Sequence, residues 1–152
     1  MVFTIIAYAI FALAMWKVFS KMGLEGWKGI IPVYNIYVLF RELWDVKVFL
    51  RYLVVLIVSV ILVATGTVLA AGGIAAAAVT GSGLGASAVG VILLLAAIVL
   101  MVYALVVWIR LAYKLSAAFG HGAGFTVGMI FIPYIILLVL AFGSSEYRPS
   151  GR

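Results

Sequence analysis

The sequence contains no cysteine, one histidine and few charged residues, and each shortage excludes a class of protein. Only 9% of the 152 residues are charged, whereas 68% are hydrophobic. So little polar surface cannot cover a soluble globule, and the composition therefore indicates an integral membrane protein. Without cysteine there is no disulfide and no thiolate metal site. One histidine and four carboxylates do not supply the usual ligands of a zinc or di-metal centre, so we expect no metal and no other cofactor.

Positive charge exceeds negative charge, with a formal net charge of +6 at pH 7. In so apolar a chain this excess indicates contact with the anionic lipid headgroups of the cytoplasmic leaflet. The basic residues are not interleaved with stacking aromatics along a groove, so we expect no nucleic-acid partner.

Long hydrophobic runs bounded by aromatic and basic residues predict an all-α protein with four transmembrane helices. The predicted spans are about residues 2–19, 46–71, 88–113 and 125–142. The uncharged Gly/Ala-rich stretch 70–87 is typical of a flexible connector. Together they predict a single membrane domain over residues 1–152.

Residues 26–44 are the one stretch in which aromatic, polar and helix-breaking residues meet. Pro32 interrupts a helix that begins at Gly26 and restarts it, and the second piece of about 13 residues is too short to span the bilayer. This element is predicted either to lie in the membrane interface or to re-enter the bilayer. The backbone groups freed near Pro32 need partners, and Asn35 is the local candidate, either as a simple cap of the bend or as part of a site.

An internal similarity relates this element to the end of the chain. Both segments have an aromatic residue followed by lysine, then a glycine, an aromatic residue and an Ile-Pro pair, at Trp16, Lys17, Gly23, Trp27, Pro32 and Tyr34, and at Tyr113, Lys114, Gly120, Phe125, Pro133 and Tyr134. The match reflects either a parallel repeat, or shared interfacial chemistry or chance. Separately, Pro133 predicts a bend or local unwinding of the fourth span.

Two blocks of residues carry a resemblance to a known family. They are Lys21–Gly23 with Gly26–Leu39, and Leu111–Ala112, Phe119–Gly120, Gly124–Gly128, Ile132–Pro133, Ala141–Gly143 and Tyr147. These blocks resemble a small bacterial family of multi-pass membrane proteins of unknown function. A similar module occurs in front of some bacterial signal peptidase I domains. We expect no peptidase domain after residue 152, and so no peptidase activity from this resemblance.

No set of residues matches a catalytic arrangement, and we expect no enzymatic activity. Ser144 and Ser145 have only Glu146 beside them, without the base and oxyanion donors that a nucleophile needs. The leading hypothesis is a partner-binding or scaffolding membrane module that contacts a protein partner or a second copy of itself. The main alternative is a small transporter or channel that uses the broken helices at Pro32 and Pro133. A third, an enzyme acting on lipid, needs charged side chains to converge at headgroup level. The predicted site comprises Trp27, Pro32, Tyr34, Asn35, Tyr37, Pro133 and Tyr134.

Basic residues alternate with the predicted turns. They flank the connector between the first two spans and the end of the third span, whereas the stretch 70–87 has none. The positive-inside rule then places the 26–44 element on the cytoplasmic side of the cell membrane and, with four spans, both termini outside. Arg148 and Arg152 in the tail oppose this placement.

Overall fold

The computed structural model describes residues 2–148, and regular structure in this range is entirely helical. The elements are α1 (Val2–Lys21), a 3₁₀ turn (Gly26–Gly29), α2 (Tyr34–Leu43), α3 (Val46–Thr80), α4 (Leu84–Ala118), α5 (Ala123–Phe131) and α6 (Pro133–Phe142). The predicted all-α class is confirmed.

Three of the described helices are long and apolar enough to cross a membrane: α1, α3 and α4. The 35 residues of α3 and of α4 rise about 50 Å each, more than the ~30 Å of a hydrocarbon core, so both can span with length to spare. The chain is therefore an all-helical membrane protein with three candidate spans. The predicted fourth span, 125–142, is not confirmed, because residues 123–142 form two helices of 9 and 10 residues.

The helices group into two compact units. The first consists of Met1–Phe49 and Trp108–Arg152, and the second consists of Leu50–Val107. Within the first unit, the described residues are 2–49 and 108–148. The prediction that the whole chain is one domain stays a prediction.

In the first unit, α1 and α4 end in the same way. Gly23 and Gly120 follow the helices with positive φ angles of 74° and 75°. At the end of α1, the Leu24 amide donates to the Phe19 carbonyl oxygen five residues back, and the Gly23 amide donates to the Ser20 carbonyl oxygen three residues back. At the end of α4, the His121 amide donates in the same way to Ser116 O, and the Gly120 amide to Ala117 O. This is the Schellman ending that glycine favours. The buried positions also match, at 14, 15, 18, 19 and 22 of the first segment and 111, 112, 115, 116 and 119 of the second. The internal similarity seen in the sequence thus has a structural counterpart.

After Gly23 the chain turns back along α1. Two glycines allow this contact, because a Cβ on Gly26 would lie 2.5 Å from the Trp16 indole nitrogen and one on Gly29 would lie 2.8 Å from the Met15 carbonyl oxygen. Further along, the Tyr8 hydroxyl donates to the Ile30 carbonyl oxygen at 2.8 Å. The chain then reverses at 32–33 into α2. Residues 26–44 therefore form a helical hairpin, which we call the first hairpin.

Residues 123–142 form a second hairpin. In a continuous helix, residues eight apart are about 12 Å apart along the axis, yet a Cβ on Gly128 would lie only 3.0 Å from Cδ1 of Ile136. The break is at Ile132, whose φ and ψ are −134° and 59°, directly before Pro133. The predicted bend near Pro133 is confirmed. It is sharp enough to fold α6 back on α5, so residues 125–142 do not form one continuous helix.

The second unit pairs parts of α3 and α4 at very short range. A Cβ on Gly66 would lie 3.0 Å from the Gly90 carbonyl oxygen, and one on Gly73 would lie 2.6 Å from the Gly83 carbonyl oxygen. A Cβ on Gly90 would overlap the backbone nitrogen of Ala70. Small residues permit such close helix contact in membranes. The prediction of a flexible connector over residues 70–87 is therefore wrong. Helix α3 continues through Thr80 and α4 begins at Leu84, so only the turn between them is non-helical.

Candidate functional site

The first unit contains an apolar cavity of about 490 Å³. Both hairpins border it, together with one face of α1 and the last turns of α4. Its lining residues are Thr4, Ala7, Tyr8, Phe11 and Met15 of α1; Pro32, Val33, Asn35, Ile36 and Leu39 of the first hairpin; Trp108, Leu111, Ala112 and Leu115 of α4; and Met129, Ile130, Pro133, Tyr134 and Leu137 of the second hairpin. None of these carries a formal charge.

Both proline breaks contribute to this cavity. Pro32 and Pro133 stand at the reversals of the first and second hairpins, and both line the cavity. Tyr134 follows Pro133, and its ring meets that of Phe11 edge-on, with centroids 6.1 Å apart. The cavity therefore lies where the two chain reversals meet α1.

The reversal of the first hairpin holds a strained residue. Val33 has φ 68° and ψ −46°, and the Tyr34 amide donates across it to the Pro32 carbonyl oxygen at 2.8 Å. This is the conformation of the rare γ-turn, which is unfavourable for a β-branched side chain. Strain of this kind persists only where surrounding contacts enforce it, and it often marks functional positions. Val33 lines the cavity, and its side chain is exposed.

Asn35 is buried beside the reversal, with 4% of its surface exposed. Its amide nitrogen donates to the Gly29 carbonyl oxygen at 3.2 Å, which joins the start of α2 to the 3₁₀ turn. The predicted role as a partner of the broken backbone is thus present in the structure. Its Oδ1 accepts no hydrogen bond from any described residue.

Trp27, Tyr34 and Tyr37 of the predicted site lie at the face of α2 that points away from the cavity. Trp27 stacks on Tyr34 with centroids 6.1 Å apart, and Tyr34 stacks on Tyr37 at 5.8 Å. Tyr37 then meets Phe49 edge-on at 5.3 Å. We call these four rings the aromatic stack. None of them lines the cavity, since positions 34 and 37 point about 180° away from positions 35, 36 and 39 on a helix of 3.6 residues per turn.

A carboxylate fixes the open end of the aromatic stack. The Trp27 indole nitrogen donates to Glu25 Oε2 at 2.7 Å, and the Lys28 ammonium lies 3.4 Å from the same oxygen. The hydrogen bond from Trp27, with the hydrogen bond and charge of Lys28, lowers the pKa of the Glu25 carboxyl below its ordinary value. Trp27 itself is 45% exposed, so this end of the stack faces the surroundings.

Three lysines hold the hairpins to the long helices, and sequence reasoning did not assign them this role. The Lys21 ammonium donates to the carbonyl oxygens of Leu140, Gly143 and Ser145 at 2.8, 2.7 and 3.3 Å. Lys17 lies over the Phe142 ring, and Lys114 over the Trp44 ring, at 5.8 and 5.3 Å from the centroids. Lys17 and Lys114 are equivalent positions of the internal similarity, and each contacts the aromatic at the end of the opposite hairpin.

The predicted site residues thus divide into two groups. Pro32, Asn35, Pro133 and Tyr134 meet at the cavity, whereas Trp27, Tyr34 and Tyr37 form the aromatic stack. Sequence reasoning missed Tyr8 and Met15, which face the hairpins from α1. Met15 is equivalent to Ala112 in the internal similarity, and both line the cavity, whereas no sequence pattern marked Tyr8. Within residues 2–148 no group of three or more His, Asp or Glu side chains is placed to hold a metal ion.

Comparison with protein families shows that residues 77–149 match DUF5684, a family of unknown function. The matched range includes the last residues of α3, the whole of α4 and the second hairpin, and it contains the second of the two blocks that carry the sequence resemblance. No curated protein and no solved structure matches the chain. The resemblance to the module in front of signal peptidase I domains stays a prediction.

Proposed function

We propose that the protein is a non-catalytic multi-pass protein of the cell membrane that binds a partner reaching it from within the bilayer. The observation that carries the proposal is the cavity, which is apolar, uncharged along its described lining, and bounded by both hairpins. Its volume lies within the ~300–1,000 Å³ range of small-ligand sites.

The side chains at the cavity favour binding over catalysis. Its hydroxyl groups belong to Thr4, Tyr8 and Tyr134, and none of the described lining residues is a histidine, lysine or carboxylate able to act as a base. A nucleophile without a base and an oxyanion site gains little activation. The Tyr8 hydroxyl is already engaged, since it donates to the Ile30 carbonyl oxygen.

We further propose that both hairpins re-enter the bilayer from the cytoplasmic side. Every Lys and Arg of residues 2–148 lies within about two turns of the C-terminal ends of α1 and α4 or the N-terminal end of α3, or in the segments that follow α1 and α4. The positive-inside rule places those helix ends in the cytoplasm. With three spans instead of four, Arg148 joins the other basic residues on that side, and its opposition to the four-span orientation disappears.

This arrangement also supports the two other predicted partners, which are anionic lipid headgroups and a protein partner or second copy of the chain. The basic residues collect at one membrane face, where they attract anionic lipid headgroups. The aromatic stack ends in the exposed Trp27 ring, and aromatic residues of this kind are enriched where proteins contact one another. It provides a surface for a protein partner or a second copy of the chain.

A transporter or channel is the second candidate, favoured by the meeting of Pro32 and Pro133 at one cavity. Discontinuous helices form many substrate sites in transporters. Against it, Asp, Glu, His, Lys or Arg side chains mark most solute pathways through membranes, and the described lining has none of these five.

A photoreactive residue at position 36, in the cavity lining, tests the proposal. In membranes we expect a covalent adduct with the bound partner that Ala7→Phe reduces, because the added ring occupies part of the cavity. Ala9→Phe is the matched control, since Ala9 is exposed on the same helix and does not line the cavity. An adduct unaffected by Ala7→Phe would contradict binding at the cavity. Saturable solute uptake by vesicles containing only the purified protein would favour the transporter instead.

A further inference from the structure

We propose that the cavity binds one neutral, single-chain amphiphile of the membrane, whose headgroup donates a hydrogen bond to Oδ1 of Asn35. The inference rests on the proposed function in taking the cavity as the binding site, and it adds the chemistry of the occupant. Three observations carry it: an unpartnered buried acceptor, the absence of charge in the described lining, and the dimensions of the cavity.

The acceptor is the side-chain oxygen of Asn35. The residue is 4% exposed and lines the cavity, and its nitrogen is held by the Gly29 carbonyl oxygen. That bond fixes the orientation of the amide, so Oδ1 is the atom left without a described partner. Buried polar atoms in native structures nearly always have a partner. A ligand that supplies an N–H or O–H donor therefore fits this position.

The lining determines that the ligand is neutral. A carboxylate or phosphate would meet an acceptor at Asn35 and no cation among the described lining residues. An ammonium group would also lack a counter-charge, and burial of an unpaired charge in an apolar site is strongly unfavourable. Hydroxyl and amide headgroups satisfy Asn35 without this cost.

The length of the cavity fits a single acyl chain. Along α1 the lining extends from Thr4 to Met15, a rise of about 16 Å. That length is close to half of the ~30 Å hydrocarbon core, the reach of one acyl chain in one leaflet.

The experiment uses a matched pair of probes with the full chain in nanodiscs of unbrominated lipid. The first probe is a brominated long-chain primary amide, and the second is its N,N-dimethyl derivative, which has the same chain but no donor. Bromine quenches nearby tryptophan, and Trp108 is the tryptophan in the cavity lining. The signal is the difference in quenching between the wild type and Trp108→Phe. The tryptophans outside the cavity are present in both proteins, so their contribution cancels.

We expect saturable quenching by the primary amide and binding about two- to tenfold weaker for the dimethyl amide, the range for one net hydrogen bond. Asn35→Leu should abolish this difference. Ala7→Phe should weaken binding of both probes, because the added ring takes up part of the cavity, and Ala9→Phe should leave both unchanged. Because Asn35→Leu also removes the bond to Gly29, the Ala7 and Ala9 pair keeps the inference testable if that variant does not fold.

Equal affinity of the two probes for the wild type would overturn the inference, since it would mean that water or nothing satisfies Asn35. Quenching by the amide that is as strong in Ala7→Phe as in the wild type would overturn it as well, because the probe would then bind outside the cavity. A protein adduct at position 36 that depends on the cavity, without binding of either amide, would overturn the amphiphile and leave the proposed function standing. If the wild type gives neither the adduct at position 36 nor binding of an amide probe, both the proposed function and this inference are overturned.

Discussion

Gly23 and Gly120 hold the same left-handed backbone conformation, with φ angles of 74° and 75°, at the ends of α1 and α4. Each leaves open space where a Cβ would stand. The conformation alone therefore demands glycine at these two positions, and it directs the chain into the two hairpins that border the cavity.

Gly23→Ala and Gly120→Ala should each lower the free energy of unfolding in detergent by about 1 kcal/mol, because alanine is unfavourable in the left-handed region. Thermal unfolding followed by circular dichroism measures the change. Gly124→Ala is the control. It is exposed within α5 with no atom near its Cβ position, and alanine there should stabilise the helix slightly. Equal effects at all three positions would contradict the assigned turn geometry.

Lys21→Met keeps an unbranched apolar stem but removes the ammonium group that donates to three carbonyl oxygens at and just beyond the end of the second hairpin. Hydrogen bonds to charged groups contribute about 1.5–3 kcal/mol, so we expect a loss of about 2 kcal/mol in unfolding free energy. Lys28→Met removes an ammonium whose partner, Glu25, is 63% exposed, and should cost less. A smaller effect at Lys21 than at Lys28 would contradict the role of Lys21 in holding the second hairpin to α1.

Val33→Gly should raise the unfolding free energy by about 1 kcal/mol, because glycine adopts the γ-turn at Val33 without the strain of a branched side chain. The measurement is again thermal unfolding. Val127→Gly, at an exposed position within α5, should have the opposite sign, since glycine weakens a helix interior. Destabilisation by Val33→Gly would show that the valine side chain itself is needed there.

Gly90→Ala should weaken the close pair of α3 and α4 in the second unit by about 1–3 kcal/mol, because the new Cβ overlaps the backbone at Ala70. A matched alanine at Gly85, where a Cβ meets nothing, should be neutral or stabilising. Thermal unfolding in detergent measures the change. Unchanged stability of Gly90→Ala would argue against the close contact.

A reporter active only in the cytoplasm should be active when fused after Arg152, because the proposed arrangement, with three spans and two hairpins that enter from the cytoplasmic side, places this end with the basic residues. The same reporter inserted in the turn after Ser82 should be silent. A silent reporter after Arg152 would instead support the four-span orientation with both termini outside.

Several features could be predicted from local sequence. The apolar runs of α1, α3 and α4 predict spans because burial of hydrophobic surface does not depend on which helix is the neighbour. The breaks at Pro32 and Pro133 follow from the missing amide and the ring geometry of proline. The pairing of Trp16-Lys17 and Gly23 with Tyr113-Lys114 and Gly120 was visible because a helix end is encoded by residues close together in the chain.

Other features depended on partners distant in sequence, and only the tertiary structure decided them. The Gly/Ala stretch 70–87 is helical on both sides of its turn because Gly73 packs against Gly83 and Ser87, a contact that local composition does not encode. Proline at 133 predicted a break but not its angle, which α6 sets by packing along α1, with Lys21 holding its end. Sequence alone thus determined the membrane class and the points where helices break. The cavity and its one unpartnered buried acceptor arise from the directions taken after those breaks, which side-chain packing between distant segments fixes.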